Sequence, residues 1–484
     1  MRRICRLITV GLLLAAAPTA AQVARPTPRA DDDFDMMNVL SALGLHDIEN
    51  ESWNAYGQVT WISSLKLPFH APYTNLNGGH MSLVPGFEHS FTGSATLYLG
   101  VRLWKGGEAY YVPEVIAERP LSQLRGIGGS IQNFELQKGG TMMPQLYRAR
   151  TYVQQTFNLG GKRVTKSSDP MQLGSVVDSS RLVLRVGSFS ILDFMDKNTF
   201  SGDPRQQFFN MAFMTYSAYD FGSDARGLSF GGVAEIYSGD WALRLGRITP
   251  PQNPNELSVE LRLHKFFGDQ IELEHQHELF GLAGAVRLLG YHNREITGRF
   301  SDAIAAYQAD PATKNASTCT GYHYDSENVT APDLCWARKP NHRYGIGVNI
   351  EQHFTDDFGM SLRGMVSDGQ SEVYAYTPTD SSVALALLSK GSLWHRRRDL
   401  AGVGFAANWI SAVHARYLAM GGVDGFVGDG KLRRGAETVF EAFYSMNLMS
   451  SVWLSVDYQR MNNPAFNADR GPVNIFGGRA HAQF

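Results

Sequence analysis

The stretch "SILDFMDKNTFSGDPRQQFFNMAF" sets Asp193, Asp196, Asp203 and Arg205 among Phe194, Phe200, Phe208 and Phe209. Carboxylates and a guanidinium exchange hydrogen bonds with hydroxyls, while aromatic faces stack on apolar ring faces. That combination suits brief contacts with a polyhydroxylated solute better than it suits covalent chemistry. An ordinary packed loop has the same composition, so two readings stand: a constriction in a polar path, or a loop packed for stability.

In "QLYRARTYVQQTF" the alternate positions of Arg148 and Arg150 put them on one strand face, about 7 Å apart. As rigid forks of donors they line a polar path, or they form a ladder paired with Glu114 and Glu118. "ELEHQHEL" carries His275 and His277 at strand spacing, half of a metal site, but they share phase with Ile271 and Leu273 and no third ligand is near. They read as histidines near an interface. "GGVDGFVGDGK" holds Asp424 and Asp429 without the ligand spacing of a calcium loop and reads as an external loop. The glycine-rich "GGSIQNFELQKGG" is not a phosphate cradle, and neither a GxSxG elbow nor an HExxH occurs. No catalytic constellation is visible, and neither a metal nor a cofactor is expected.

These groups must be positioned by strands. In "FTGSATLYLGVRLWKGGEAYYVPEVIAER" an apolar set from Phe91 to Leu103 alternates with Thr92, Ser94, Thr96, Tyr98 and Arg102. Gly106-Gly107 marks a tight turn, and Ala109, Tyr111, Val115 and Ala117 then alternate with Glu108, Glu114 and Glu118. This is a hairpin with one apolar and one charged face. Similar runs begin near Trp53, Leu146, Arg181, Gly227, Trp241, Ile271, Ala285, Arg343, Phe358, Val383, Leu400, Glu437, Val452 and Val473, giving sixteen strands in all. The last, "NIFGGRAHAQF", alternates up to a terminal Phe484.

Composition agrees with an all-β membrane protein. A chain that is 43% hydrophobic and 19% charged with a net charge of −2 is neither disordered nor a nucleic-acid binder. "MRRICRLITVGLLLAAAPTAAQ" reads as a secretory signal over residues 1–21, its apolar run being shorter than the ~20 residues that span a bilayer. Residues 22–52 form a periplasmic N-terminal segment, and residues 53–484 the barrel. Loss of Cys5 with the signal leaves Cys319 and Cys335, which are expected to pair in an oxidising compartment and pin a long polar loop.

The fold expected is a transmembrane antiparallel β-barrel of about 16 strands, because in lipid only a closed sheet satisfies β backbone. With the first strand running outward, the turns at Gly106-Gly107, Ser238 to Asp240, Gly281 to Gly284, Thr355 to Asp357 and Met449 to Ser451 fall inside. The long stretches 66–90, 119–145, 191–226, 294–342 and 412–436 fall outside. "ELSVELRLHKFFGDQ" alternates from Leu257 to Leu263 but would invert every later loop as a strand, so it is assigned to an external or inward-folded loop. The stretch from Gly160 to Ser180 is longer than a periplasmic turn should be. An apolar exterior then puts Arg102, Glu114, Arg148, Arg150, Arg185, Glu235, Arg244, Glu272, Glu274, Arg287, Glu351 and Arg363 in the lumen, a mixed-sign lining that favours neutral polar solutes.

"SATLYLGVRLWKGGEAYYVPE", "LVLRVGSFSILDFMDKNTFSGDPRQQFFNMAFM", "AVHARYLAMGGVDGFVGDGKL" and the C-terminal "ETVFEAFYSMNLMSSVWLSVDYQRMNNPAFNADRGPVNIFGGRAHAQF" resemble, in order and spacing, the OprB-type carbohydrate-selective porins of Gram-negative outer membranes. The resemblance implies a 16-stranded barrel passing glucose and related sugars passively through a pore narrowed by inward loops and charged side chains. Here that points to Ile191 to Phe209 and to inward arginines. The chain departs from the family where it has "WHRRRDLAG" and "RGAE", both at turns or loops.

The expected path and constriction residues are Arg102, Glu114, Arg148, Arg150, Arg185, Asp193, Asp196, Arg205, Phe209, Glu235 and Arg244. Expected partners are small neutral sugars, outer-membrane lipid and lipopolysaccharide, and the barrel assembly machinery, which would read the C-terminal strand and Phe484. No nucleic-acid partner is expected, and monomer and homotrimer both remain open. The alternatives are a barrel enzyme of lipase or protease type, a general porin without sugar preference, an energised transporter, for which the ~30 residues before the first strand are too few to make a plug, and a secreted soluble β-sandwich.

Overall fold

The computed structural model describes residues 35–136, 140–312, 322, 324, 328–375 and 377–484. A short helix, α1 (Met36–Ala42), capped by Asp35, precedes the first strand. The strands are β1 (Trp53–Lys66), β2 (Glu88–Trp104), β3 (Gly107–Arg119), β4 (Gln145–Lys166), β5 (Ser175–Phe189), β6 (Ser229–Ser238), β7 (Trp241–Ile248) and β8 (Phe267–Leu279). They continue as β9 (Leu282–Gly298), β10 (Arg338–His353), β11 (Phe358–Ser367), β12 (Ser381–Gly391), β13 (Arg396–Trp409), β14 (Glu437–Met449), β15 (Val452–Asn462) and β16 (Val473–Gln483). Each pairs antiparallel with its sequence neighbours, and β16 closes on β1 from Gln58↔Gln483 to Lys66↔Ile475. The sheet is thus a sixteen-stranded closed barrel, and among the described residues no helix is long and apolar enough to cross a membrane.

Period-two alternation explains the wall, because successive side chains point to opposite faces. On β2, Leu97, Leu99, Val101 and Leu103 are exposed on the exterior, while Thr92, Ser94 and Thr96 are buried toward the lumen. An inverted distribution of this kind, apolar outside and polar inside, is what a lipid exterior requires. The terminal Phe484 extends the closure: Gly57 N–H donates to its carbonyl at 2.7 Å and its own N–H returns to Gly57 O at 2.9 Å.

Short turns join strands at the end where β1 begins, and long loops join them at the other. The expected strand order, the turns and the long loops all appear, with Leu257 to Leu263 inside the 249–266 loop. The stretch from Gly160 to Ser180 is mostly strand: β4 and β5 run on past two register shifts around Gly160, whose φ of +104° suits a residue without a side chain, leaving only residues 167–174 as the turn. The 368–380 loop (L6) was not anticipated at its length.

The loops at the long-loop end form a cap with its own core. Helix α3 (Phe300–Ala309), in the loop 299–337 (L5), packs against α4 (Ala412–Ala419), in the loop 410–436 (L7), through Phe300, Ile304, Tyr417 and Leu418. The pair Cys319–Cys335 expected in L5 rests on Cys319, which lies outside the described residues, as does the expected signal segment 1–21.

His414 of α4 lies at the centre of this cap, fully buried, with its ring stacked on Phe300 at 4.1 Å. Its Nδ1 is 3.0 Å from Asp380 of L6 and its Nε2 is 3.2 Å from Asp424 of L7. Arg343 also reaches Asp380, and Tyr324 donates to Asp424. Burial alone would lower the imidazole pKa, but Asp380 and then Asp424 outweigh it and raise it to about 9. A raised folded-state pKa stabilises fully below the ordinary value near 6.5 and is lost as pH rises through about 9. The loss amounts to about 3 kcal/mol. Hydrogen-exchange protection factors across residues 412–436, with the intrinsic rise of exchange with pH divided out, are therefore expected to fall between pH 7.5 and 10.5. In His414→Gln the cap exchanges fast at both pH values.

Candidate functional site

The wall alone would leave an open tube, but two loops are laid into it. The loop 190–228 (L3), which follows β5 and carries α2 (Met211–Met214), crosses the lumen and touches the wall on opposite sides. At the far wall the Arg363 guanidinium of β11, 1% exposed, donates to Asp196 at 3.0 and 3.1 Å, to Ser201 Oγ at 2.6 Å and to the Phe213 carbonyl at 2.6 Å. Asn349 of β10 donates to the same carboxylate at 2.5 Å, and Thr199 N–H donates to Glu351 at 2.6 Å. Asp196 has φ +55°, a sparsely populated conformation for a residue with a side chain, held by Arg363 and Asn349 on its carboxylate and by its own N–H, which donates to Glu272 at 2.7 Å.

On the near wall Arg205 donates to Glu135 at 3.1 Å, to Glu114 at 3.0 Å and to the Tyr98 hydroxyl at 3.0 Å. Glu114 also accepts from Thr96 at 2.6 Å and from Tyr147. The base of L3 is fixed by a two-pronged contact in which Arg150 Nε and Nη2 each reach Asp193 at 2.8 Å. Burial pushes the Asp193 carboxyl up, but the guanidinium outweighs it and holds the pKa below its ordinary value.

Irregular backbone inside a barrel carries donors that no ladder satisfies. Wall carboxylates take them: Glu441 of β14 accepts from Phe209 and Asn210 N–H at 2.6 and 3.0 Å. Its neighbour Glu437 accepts from Gly128 and Ser130 N–H of the loop 120–144 (L2) at 2.7 and 2.9 Å. L2 and L3 bond to each other where Phe134 N–H meets Phe209 O at 3.1 Å. The phenylalanines of L3 enter gaps left by wall glycines: a Cβ on Gly359 would lie 2.1 Å from the Phe200 ring, and one on Gly404 2.5 Å from Phe213.

What stays open beside L3 is a cavity of about 2090 Å³ lined by β3 to β10, β12 and β13, by L2 and L3, and by turns at the other end. Its lining reaches from Asp224 and Arg226, near the loop end, past Arg150, Asp193 and Arg205, to Ser167, Asp240 and Asp356 on the turns. Arg185 crosses its wall between Glu235 at 2.6 Å and Gln154 at 3.0 Å, with its guanidinium 4.3 Å from the Phe194 ring centre. Arg287 bonds Glu274 at 2.7 Å. Such paired charges present hydrogen-bonding groups without a large net field.

Glu114, Arg150, Arg185, Asp193, Asp196 and Arg205, read from the sequence as path residues, line this cavity. Glu235 and Arg244 are buried in the wall, Arg244 between Glu272 at 2.8 Å and Glu274 at 3.1 Å. Three expectations need correction. Arg102 lies at the turn end, donating to Asn50 at 2.7 Å and the Gly174 carbonyl at 3.1 Å, and so clasps the N-terminal segment rather than the constriction. Phe209 has no exposed surface; its ring lies under the Arg479 guanidinium at 4.2 Å, as a packing wedge.

Arg148 and Arg150 do not share a face. The register shifts at Val112/Pro113, so Arg150 opposes lumen-side Val112 and Arg148 opposes exterior-phase Pro113. Proline lacks the N–H a regular ladder needs, and the extra residue reverses the phase. Arg148 is accordingly exposed, while Ala149 is buried.

Sequence reasoning missed the carboxylates Glu437 and Glu441 that hold loop backbone, and the fork of Arg363. Lumen-phase acids on β14 and the strand glycines Gly359, Gly402 and Gly404 were the available signals. Among the described residues no group of three or more His, Cys, Asp or Glu is placed to hold a metal ion.

Comparison with known proteins places this geometry. The family model for the carbohydrate-selective porins, OprB family, matches residues 88–484. The high-pH structure of Pseudomonas putida OprB superposes with a TM-score of 0.65 at 14% identity, covering 90% of this chain and 94% of that one, a likeness of fold. The porin AaxA of Chlamydia pneumoniae is 33% identical over 137 residues, 28% of this chain and 27% of that relative, so the match spans about a quarter of the relative's length.

Proposed function

The chain belongs to the carbohydrate-selective porin family of the OprB type, and from that premise we propose that it passes small neutral sugars such as glucose by passive diffusion along the channel beside L3. L3 laid across the lumen by Arg363 on one side and Arg205 on the other carries this reading. The opening left is lined by paired charges and by Tyr147, Phe134 and Tyr237. Hydroxyls exchange hydrogen bonds with the ion pairs as they pass, and no single contact is strong enough to hold a solute. No covalent step takes part.

The turn end is periplasmic and the loop end external, with residues 1–21 removed on export. The barrel assembly machinery reads β16 with Phe484, and lipopolysaccharide borders the external rim.

Liposome swelling by the detergent-extracted protein tests the reading, with glucose, a disaccharide and arginine as solutes. Glucose is expected to enter faster than either, and equally fast in Arg148→Ala, whose side chain lies off the path. Swelling with no solute at all would overturn the reading.

A further inference from the structure

The lumen arginines Arg150, Arg185, Arg205 and Arg287 each hold a carboxylate, whereas other cations lining the cavity do not, Lys197 and Lys166 among them. Lys197 lies exposed on L3 and Lys166 half-buried at the turn end of β4, both lining the same cavity. Among the described residues neither has an ion pair, and the acids around them are engaged elsewhere. Those near Lys197 are Asp193, forked by Arg150, and Glu235, bonded by Arg185. Lys166 also senses Glu235, together with Glu108, which accepts from Tyr110 and Gln154. The exposed acids Asp240 and Asp356 sit on the turns at the mouth, where salt screens them.

We infer that Lys197 and Lys166 form a two-step carboxylate path, which admits monosaccharide acids such as aldonates and uronates alongside neutral sugars. This rests on the sugar-channel reading and names a further substrate class for it. The hydroxyls of a sugar acid use the same paired wall as glucose. Its carboxylate meets Lys197 beside the Arg150–Asp193 fork and then Lys166 nearer the periplasmic mouth. An unpaired ammonium in a channel of low dielectric walls attracts an anion more strongly than one already neutralised. It is also a mobile point charge, which lets go more readily than a guanidinium fork.

Zero-current potentials in planar bilayers under gradients of potassium gluconate, with glucose swelling measured in parallel, test the path on the full-length protein. In Lys166→Gln/Lys197→Gln the gluconate permeability relative to potassium is expected to fall about threefold, the scale of two partly screened charges. Glucose entry stays unchanged, and Lys197→Arg restores most of the loss. Unchanged gluconate permeability in the double variant would overturn the inference. A wild-type channel that conducts gluconate through these lysines yet excludes glucose would instead overturn the neutral-sugar reading and leave the lysine path standing.

Discussion

Arg363→Met opens the channel. The guanidinium it removes is 1% exposed and holds Asp196, Ser201 and the Phe213 carbonyl, so the substitution leaves a buried carboxylate with only Asn349 and the Glu351-anchored backbone nearby. Breaking one side of such a pair costs about 3–5 kcal/mol. The barrel does not bear that cost, because its sixteen ladders close without L3. L3 does, and it swings away from β10 and β11. Single-channel conductance is expected to rise and the preference for glucose over a disaccharide to shrink, while the protein still migrates as a folded barrel in unheated gels. Because the fault is an uncompensated carboxylate, Asp196→Asn combined with Arg363→Met should cost less than the two single changes added together. Additive losses would show that the fork is not what anchors the loop.

The second large effect is at the opposite anchor. Arg205→Ala removes the cation shared by Glu114 and Glu135, which are 2% and 0% exposed. Two buried carboxylates then face each other without it, at a cost of about 3 kcal/mol or more. Here the electrical signature differs from that of Arg363, since charge as well as loop position changes. The zero-current potential under a potassium chloride gradient is expected to move toward cation selectivity, and Arg205→Lys to recover part of the shift. A conductance increase without a change in selectivity would mean that Glu114 and Glu135 do not face the conducting path.

The contrast between these anchors and the wall shows what one sequence can reveal. Strands were readable because lipid outside and water inside impose period two, and Gly106-Gly107 or Ser238 to Asp240 could punctuate only a tight turn. The C-terminal alternation around Phe476 and Phe484 was readable for the same reason. L2 and L3 have no period, so nothing local says that Asp196 meets Arg363 or that Phe209 N–H meets Glu441. These contacts span more than 160 residues in the first case and more than 230 in the second. Aromatic density in L3 suggested sugar stacking, yet Phe200 and Phe213 are there to fill hollows over Gly359 and Gly404. Arg148 was misplaced by one residue of bulge, the smallest error that reverses a face. Among the charged residues, Arg150, Arg185, Asp193 and Arg205 do come together on one cavity wall.

The most direct test of a sugar path beside L3 is single-channel current through the wild-type protein while glucose is titrated on one side. A saturable fall in current is expected, weaker in Arg363→Met, because glucose must displace ions from the narrowed stretch between Arg150 and Arg205. A current that follows only the viscosity of the glucose solution, identically in both proteins, would contradict it.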